Sequence, residues 1–181
     1  MLAAHPERLE SRFELAELLS SRGQHFEAAA LLAAAPEDQQ SSPELRRRRA
    51  VELYLDGDLA AAAELARGLH AELPDNRTVL ILLATIEQAD GRWANVLDLI
   101  GGAAESNPLH DQLNFLEVRA LERLGRIEEA LAALARRGEA LRSAGRQAEA
   151  VLVQASAALL AARNDREAVA TDLATAVLHA T

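Results

Sequence analysis

The chain has no cysteine, no lysine and few aromatic residues. Without cysteine, disulfide frameworks, thiolate metal sites and cysteine nucleophiles are excluded. All 19 basic residues are arginine, and aromatic residues make up only 3% of the 181. The apolar content is mostly alanine and leucine, which favour helices, whereas strands favour β-branched and aromatic residues. These absences indicate an all-α protein.

The charge and the lack of long apolar runs narrow the class of partner. The formal net charge is −9, which disfavours nonspecific binding to nucleic acid or to anionic lipid. No stretch approaches the roughly 18 consecutive apolar residues of a membrane span, and no secretory signal is visible. The sequence therefore predicts no nucleic-acid partner and no integral membrane segment. It indicates a cytoplasmic location as written, and a periplasmic one stays open for a piece of a longer exported protein.

A 34-residue period organises the first 140 residues. Glycine recurs at this interval without slippage, at Gly23, Gly57, Gly91 and Gly125. Small residues share the phase, seven positions before each glycine at Ala16, Ala50, Ala84 and Val118, and five after it at Ala28, Ala62, Val96 and Ala130. Such a period predicts a stack of equivalent helical hairpins, an architecture that presents an extended surface and rarely contains a reaction centre.

Turn residues and helix caps set the expected helix bounds. The first helix is expected to begin near Pro6 and a second to run up to Pro36, with residues 37–42 as a polar connector. The later helices are predicted at 43–56, 58–72, 77–90, 92–107, 109–124, 126–142, 146–163 and 166–180. Gly101-Gly102 should end its helix early or kink it, because each glycine costs about 1 kcal/mol in a helix interior.

The repeated unit resembles the tetratricopeptide repeat (TPR). The features that carry the resemblance are the small residue within the first helix, alanine early in the second, and proline at the junction, as in Ala50, Ala62 and Pro74. The resemblance implies a right-handed α-solenoid of about five hairpins and ten helices, forming one domain over 1–181. Its repeats would span about 5–40, 43–74, 76–108 and 109–142, with a divergent hairpin at 143–181.

The resemblance also implies a non-enzymatic scaffold that binds a protein or peptide on a concave face lined by the first helix of each hairpin. Partner-binding positions would then be Phe13, Arg47, Arg48, Val51, Tyr54, Ile81, Thr85, Phe115, Arg119 and Arg123. Guanidinium groups bind carboxylates in bidentate fashion and pack on aromatic rings. A peptide or helix with acidic and apolar side chains would suit this surface.

Other candidate sites have simpler interpretations, so no catalytic residue, cofactor or metal is predicted. Within the run Arg46–Arg49, Arg46 and Arg49 are expected to be solvated or paired with Glu44 and Glu52, whereas Arg47 and Arg48 stay open as partner contacts. Asp56-Gly57-Asp58 is interpreted as a glycine turn followed by a helix cap. Trp93 is expected to pack between repeats. The five histidines are scattered and are interpreted as surface residues: His5, His25, His70, His110 and His179.

The sequence allows one alternative function and disfavours another. The chain could be an assembly or regulatory segment of a larger bacterial envelope or secretion-type complex, self-associating as a homo-oligomer through an uncapped C-terminal end. Nucleic-acid recognition by a helical repeat is disfavoured, because it needs a basic groove and a repeated pair of specificity residues.

Overall fold

The computed structural model describes residues 9–180, except for the side chains of residues 179 and 180. The predicted helix start at Pro6, the residue His5 and the side chain of His179 lie outside the described residues. Within them, the chain forms helices only: α1 (Leu9–Ser21), α2 (His25–Ala33), α3 (Glu37–Gln40), α4 (Pro43–Asp56), α5 (Leu59–Glu72), α6 (Arg77–Ala89), α7 (Trp93–Ser106), α8 (Asp111–Arg123), α9 (Ile127–Ser143), α10 (Gln147–Arg163) and α11 (Glu167–Ala180).

The helices fall into two compact units, divided between Asp90 and Gly91. In the first unit α2 packs on α1 and α4, and α5 packs on α4 and α6. In the second unit each helix from α7 to α11 packs on the next one along the chain. Each unit is thus a series of helical hairpins whose neighbours in sequence are neighbours in space.

The glycines of the 34-residue period end the first helix of each hairpin in a left-handed conformation. Their φ angles lie between 72° and 94°, a region that glycine enters without a steric penalty. At Gly57 the turn is followed at once by Asp58, whose carboxylate accepts a hydrogen bond from the Ala61 N–H at 3.1 Å and caps α5. The interpretation of this segment as a turn and a cap is therefore confirmed.

The turn between α10 and α11 uses Asp165 in place of glycine. Asp165 has a φ of 56° and is the one non-glycine residue with a positive φ among the described residues. We expect Asp165→Gly to raise the free energy of unfolding by about 0.5–1 kcal/mol, because the relieved strain outweighs the added freedom of the unfolded chain. The urea midpoint of the whole chain measures this. Gly145→Asp, at a turn with a φ of 74°, is the matched reverse substitution and should lower the midpoint.

The small residues that share the glycine phase are packed inside the units. The positions five residues after each glycine are all 0% exposed, namely Ala28, Ala62, Val96 and Ala130. Of the positions seven residues before each glycine, the three alanines are buried, whereas Val118 is half-buried. Neighbouring helices approach closely only where side chains are small, so the period marks helix-packing positions.

Helix α7 continues through Gly101-Gly102 to Ser106, so the expected early end or kink is wrong. Val96, Ile100 and Ala104 lie one turn apart on the same face and are fully buried on both sides of the glycine pair. The burial of this face, and the packing of α7 on α8, outweigh the intrinsic cost of the two glycines.

The expected polar connector at 37–42 contains the one-turn helix α3, which brings the described helices to eleven instead of ten. The side chain of Gln40 explains why α3 forms. Its amide donates hydrogen bonds to the carbonyls of Ala33 and Ala35 at 2.6 and 2.7 Å. Ala33 is the last residue of α2 and Ala35 lies just beyond it, so both carbonyls need partners outside that helix. A single helical turn places Gln40 where it supplies them.

Candidate functional site

Three arginines of the run on α4, Arg46 to Arg48, are paired with carboxylates. Arg46 pairs with Glu72 at 2.5 Å, so the expected pairing with Glu44 or Glu52 is wrong for this residue. Arg47 and Arg48 both pair with Glu44, at 2.8 and 2.7 Å. The hydrogen bond from Arg47 is the largest cause that lowers the pKa of Glu44 to about 2, and Arg48 adds to it. Glu44 therefore stays ionised, and holds both arginines, over the whole physiological pH range.

A first groove opens in the first unit, between α1 and α4, and we call it the unit-1 groove. It encloses about 450 Å³ and is lined by Ala16, Glu17, Ser20, Ser21, Leu32, Arg47, Arg48, Val51 and Glu52. Three of the predicted partner-binding residues, Arg47, Arg48 and Val51, meet here. Phe13 lies beside them, because the Arg48 guanidinium stacks 4.5 Å from the centre of its ring.

Histidines contribute to the structure more than the sequence indicated. His25 Nδ1 lies 2.9 Å from a carboxylate oxygen of Glu52, which ties α2 to α4. His110 caps α8, because its Nδ1 accepts from the Leu113 N–H at 3.4 Å. Both histidines, and also His70, are half-buried, so the expectation of surface histidines is wrong for these three.

A second groove opens in the second unit, between α8 and α10, with α9 beneath them, and we call it the unit-2 groove. It encloses about 500 Å³ and is lined by Asp111, Asn114, Phe115, Val118, Arg119, Glu122, Leu134, Arg137, Val153, Ser156, Leu160 and Arg163. Volumes of this order are usual for ligand-binding clefts. Phe115 and Arg119, both predicted partner-binding residues, stand on its α8 wall.

The charged side chains of the unit-2 groove differ in how they are engaged. Arg137 pairs with Asp111, and Arg163 pairs with Glu122 at 3.2 Å. Arg119 instead stacks on Phe115, with its guanidinium carbon 5.5 Å from the ring centre. No carboxylate among the described residues forms an ion pair with Arg119.

Asn114 holds the α8 wall in place. It is buried, and its side-chain amide donates to the carbonyls of Pro108 and His110 at 3.0 and 2.9 Å. These bonds fix the loop that precedes α8. Because Asn114 is adjacent to Phe115 in the chain, the same bonds fix where Phe115 enters the groove.

The other predicted partner-binding residues lie outside the linings of the two grooves. Tyr54 and Ile81 are half-buried, and the hydroxyl of Thr85 donates to the Ile81 carbonyl of its own helix at 2.7 Å. Arg123 lies over Trp93, with its guanidinium carbon 5.5 Å from the ring. Trp93 thereby joins α7 to α8.

Several groove residues were not predicted from the sequence. Arg137 comes from α9, a second helix of a hairpin, whereas the predicted set was drawn from first helices. Val153, Leu160 and Arg163 come from α10, where the 34-residue period has already failed. The available signal was the helical spacing of Val153, Leu160 and Arg163, which places them on one side of that helix.

Metal sites and membrane-spanning helices are absent from the part of the chain that the structure describes. Among the side chains that the structure describes, no group of three or more His, Asp or Glu residues is arranged to hold a metal ion. Over residues 9–180, no helix is both long and apolar enough to cross a membrane.

The fold is shared with solved helical-repeat structures at low sequence identity. MamA from Desulfovibrio magneticus RS-1, from residue 41 to its end, matches with a TM-score of 0.75 and 13% identity, over 99% of this chain and 97% of that one. A Podosopora anserina protein, described as a kinesin light chain with nearly identical TPR-like repeats, matches with a TM-score of 0.73 and 20% identity, over 98% and 96%. No protein-family model and no curated protein sequence matches the chain.

These likenesses and the eleven described helices define the class. The chain has an all-α helical-repeat fold of the TPR-like kind. The resemblance drawn from glycine and alanine spacing is confirmed at the level of the fold.

Proposed function

We propose that the chain is a non-enzymatic protein-interaction scaffold that binds a peptide or helix of another protein along the first helices of its hairpins. The observation that carries the proposal is the unit-2 groove, an open cleft in which an exposed aromatic ring and an arginine stand above aliphatic side chains. Aromatic residues and arginine are the side chains most enriched at the energetic centres of protein interfaces.

Three further points support a scaffold. The unit-1 groove repeats the combination of an arginine stacked on a phenylalanine beside aliphatic residues. The helices of both grooves are rigid elements fixed by packing, so binding would cost little ordering. The net charge of −9 opposes nucleic acid as the partner.

Site-specific photo-cross-linking in the source cells tests the proposal. Phe115 is 54% exposed in the unit-2 groove, and Phe26 is 66% exposed on α2, outside the linings of both grooves. Each is replaced in turn by p-benzoylphenylalanine, which keeps the aromatic ring. We expect a discrete adduct with a second protein at position 115 and none at position 26. Equal adducts at both positions, or none at either, would count against the scaffold.

A second candidate function, self-association, is favoured by one observation. Leu152 and Leu159 are 67% and 65% exposed and lie two turns apart on one face of α10. Static light scattering over a concentration series should then show a mass above that of one chain, and the pair Leu152→Glu with Leu159→Glu should return it to one chain. A single-chain mass at every concentration would contradict self-association.

A further inference from the structure

We propose that Arg119 and Phe115 make the unit-2 groove selective for a protein segment that carries a carboxylate next to an aliphatic side chain. This inference rests on the proposed scaffold function and names the chemistry of its partner. The sequence predicted both Arg48 and Arg119 as partner-binding residues. The inference assigns recognition of the carboxylate to Arg119 alone.

Arg119 has its charge available to a partner. It is half-buried in the wall of the groove, and its guanidinium carbon lies 5.5 Å from the centre of the Phe115 ring, which restricts where its charge can lie. Contact with the ring uses none of the guanidinium N–H groups in a hydrogen bond, and no carboxylate among the described residues pairs with them, so they can donate to a partner. A planar fork of donors in a fixed place matches the two oxygens of a carboxylate.

The balance of charge within the groove favours an anionic group. Its lining holds three arginines, at 119, 137 and 163, and two carboxylates, at 111 and 122. Asp111 pairs with Arg137, and Glu122 pairs with Arg163. The positive charge of Arg119 is therefore the one in the lining that no carboxylate of the lining compensates. This local excess is opposite in sign to the net charge of the whole chain.

The unit-1 groove offers no such excess. Its two arginines, Arg47 and Arg48, face two carboxylates in the lining, Glu17 and Glu52. In addition Glu44 accepts hydrogen bonds from both arginines. Arg48 already donates its Nε–H to Glu44, so an incoming carboxylate would meet a charge that is partly compensated, whereas no carboxylate among the described residues pairs with Arg119.

The remainder of the unit-2 lining specifies the aliphatic neighbour. Val118, Val153, Leu134 and Leu160 come from three helices and meet at the base of the groove. A leucine, isoleucine or valine of a partner would bury its apolar surface against these four side chains. A polyphosphate chain would meet a single unpaired arginine and an aliphatic base, so a protein segment fits better than nucleic acid.

A random dodecapeptide library displayed on phage tests the inference on the whole chain. We expect enriched peptides to carry Asp or Glu beside Leu, Ile or Val. A fluorescein-labelled synthetic copy of the most enriched peptide then serves as the probe in anisotropy titrations. A copy with Asn or Gln in place of its Asp or Glu serves as the uncharged partner in a double-mutant cycle.

Arg119→Ala should weaken binding of the acidic peptide about tenfold or more, as expected for the loss of a hydrogen bond to a charged group. The control Arg126→Ala, which removes an arginine of an exposed ion pair outside the linings of both grooves, should change the affinity less than about twofold. The uncharged peptide should bind wild type about as weakly as it binds Arg119→Ala. If Arg119→Ala does not fold, Arg119→Gln is measured instead. It keeps a long polar side chain and should show the same loss of affinity for the acidic peptide.

The outcomes separate this inference from the scaffold function. Enrichment of neutral or basic peptides, equal losses in the Arg126 and Arg119 variants, or additive effects in the cycle would overturn the inference and leave peptide binding intact. Enrichment of no peptide at all would overturn both. Tight binding of a single-stranded oligonucleotide of matched length at 150 mM salt, competing with the acidic peptide, would also overturn the inference.

Discussion

Replacing Ala62 with tryptophan is expected to lower the free energy of unfolding by about 3 kcal/mol, at the upper end of the usual cost of overpacking. Ala62 is 0% exposed in α5, which packs on α4 and α6. A tryptophan side chain at this position cannot be accommodated unless these helices move apart. The urea midpoint and the melting temperature of the whole chain measure the loss, and circular dichroism reports whether helix content is retained.

Ala60→Trp is the matched control, because Ala60 lies on the same helix and is exposed. It should leave the urea midpoint close to that of the wild-type chain, since surface substitutions usually change stability by about 0.5 kcal/mol or less. Equal effects of the two substitutions would mean that the 34-residue phase does not mark packed positions in this unit.

Arg136→Ala is expected to lower the free energy of unfolding by about 3 kcal/mol, because it leaves a buried carboxylate without its ion-pair partner. Glu117 on α8 is 6% exposed, and both of its oxygens accept from Arg136 Nη2 of α9, at 2.8 and 2.7 Å. Removing one partner of a buried ion pair is far more costly than removing both, because the charge that remains has lost its compensation. Breaking a buried ion pair usually costs about 3–5 kcal/mol. The loss expected here lies at the low end, because the Arg136 side chain is itself 33% exposed.

Two further variants distinguish a stranded charge from lost packing. Glu117→Gln in the Arg136→Ala background should recover part of the loss, because a neutral amide is less costly to bury than a carboxylate. Arg126→Ala removes an arginine from the exposed pair with Glu129 and should change the urea midpoint little. A double variant no more stable than Arg136→Ala alone would attribute the loss to packing.

The hairpin turns were predictable because their determinants are local. A left-handed turn at Gly57 or Gly125 depends on the conformational freedom of one residue, which a single sequence reveals. The same holds for the cap at Asp58, whose partner lies three residues away. Helix bounds therefore agreed with expectation to within one or two residues over most of the chain.

The predictions that failed concern interactions between residues far apart in sequence. The glycine pair at 101–102 stays helical because α8 packs on that helix, and α3 forms because Gln40 reaches carbonyls of the preceding helix. Arg46 finds Glu72, which is 26 residues away, instead of a neighbour on its own helix. Helical spacing cannot show which of several carboxylates a long, flexible side chain will reach.

The sequence by itself determined the class of fold, the period of the hairpins and the positions that must stay small, because backbone conformation and helix spacing are encoded residue by residue. Only the tertiary structure decided which arginines are available to a partner. Arg48 and Arg119 each line a groove and lie over a phenylalanine ring, yet Glu44 on α4 pairs with the first, and no carboxylate among the described residues pairs with the second. That difference depends on where neighbouring helices bring their charges, which is a property of the packed chain.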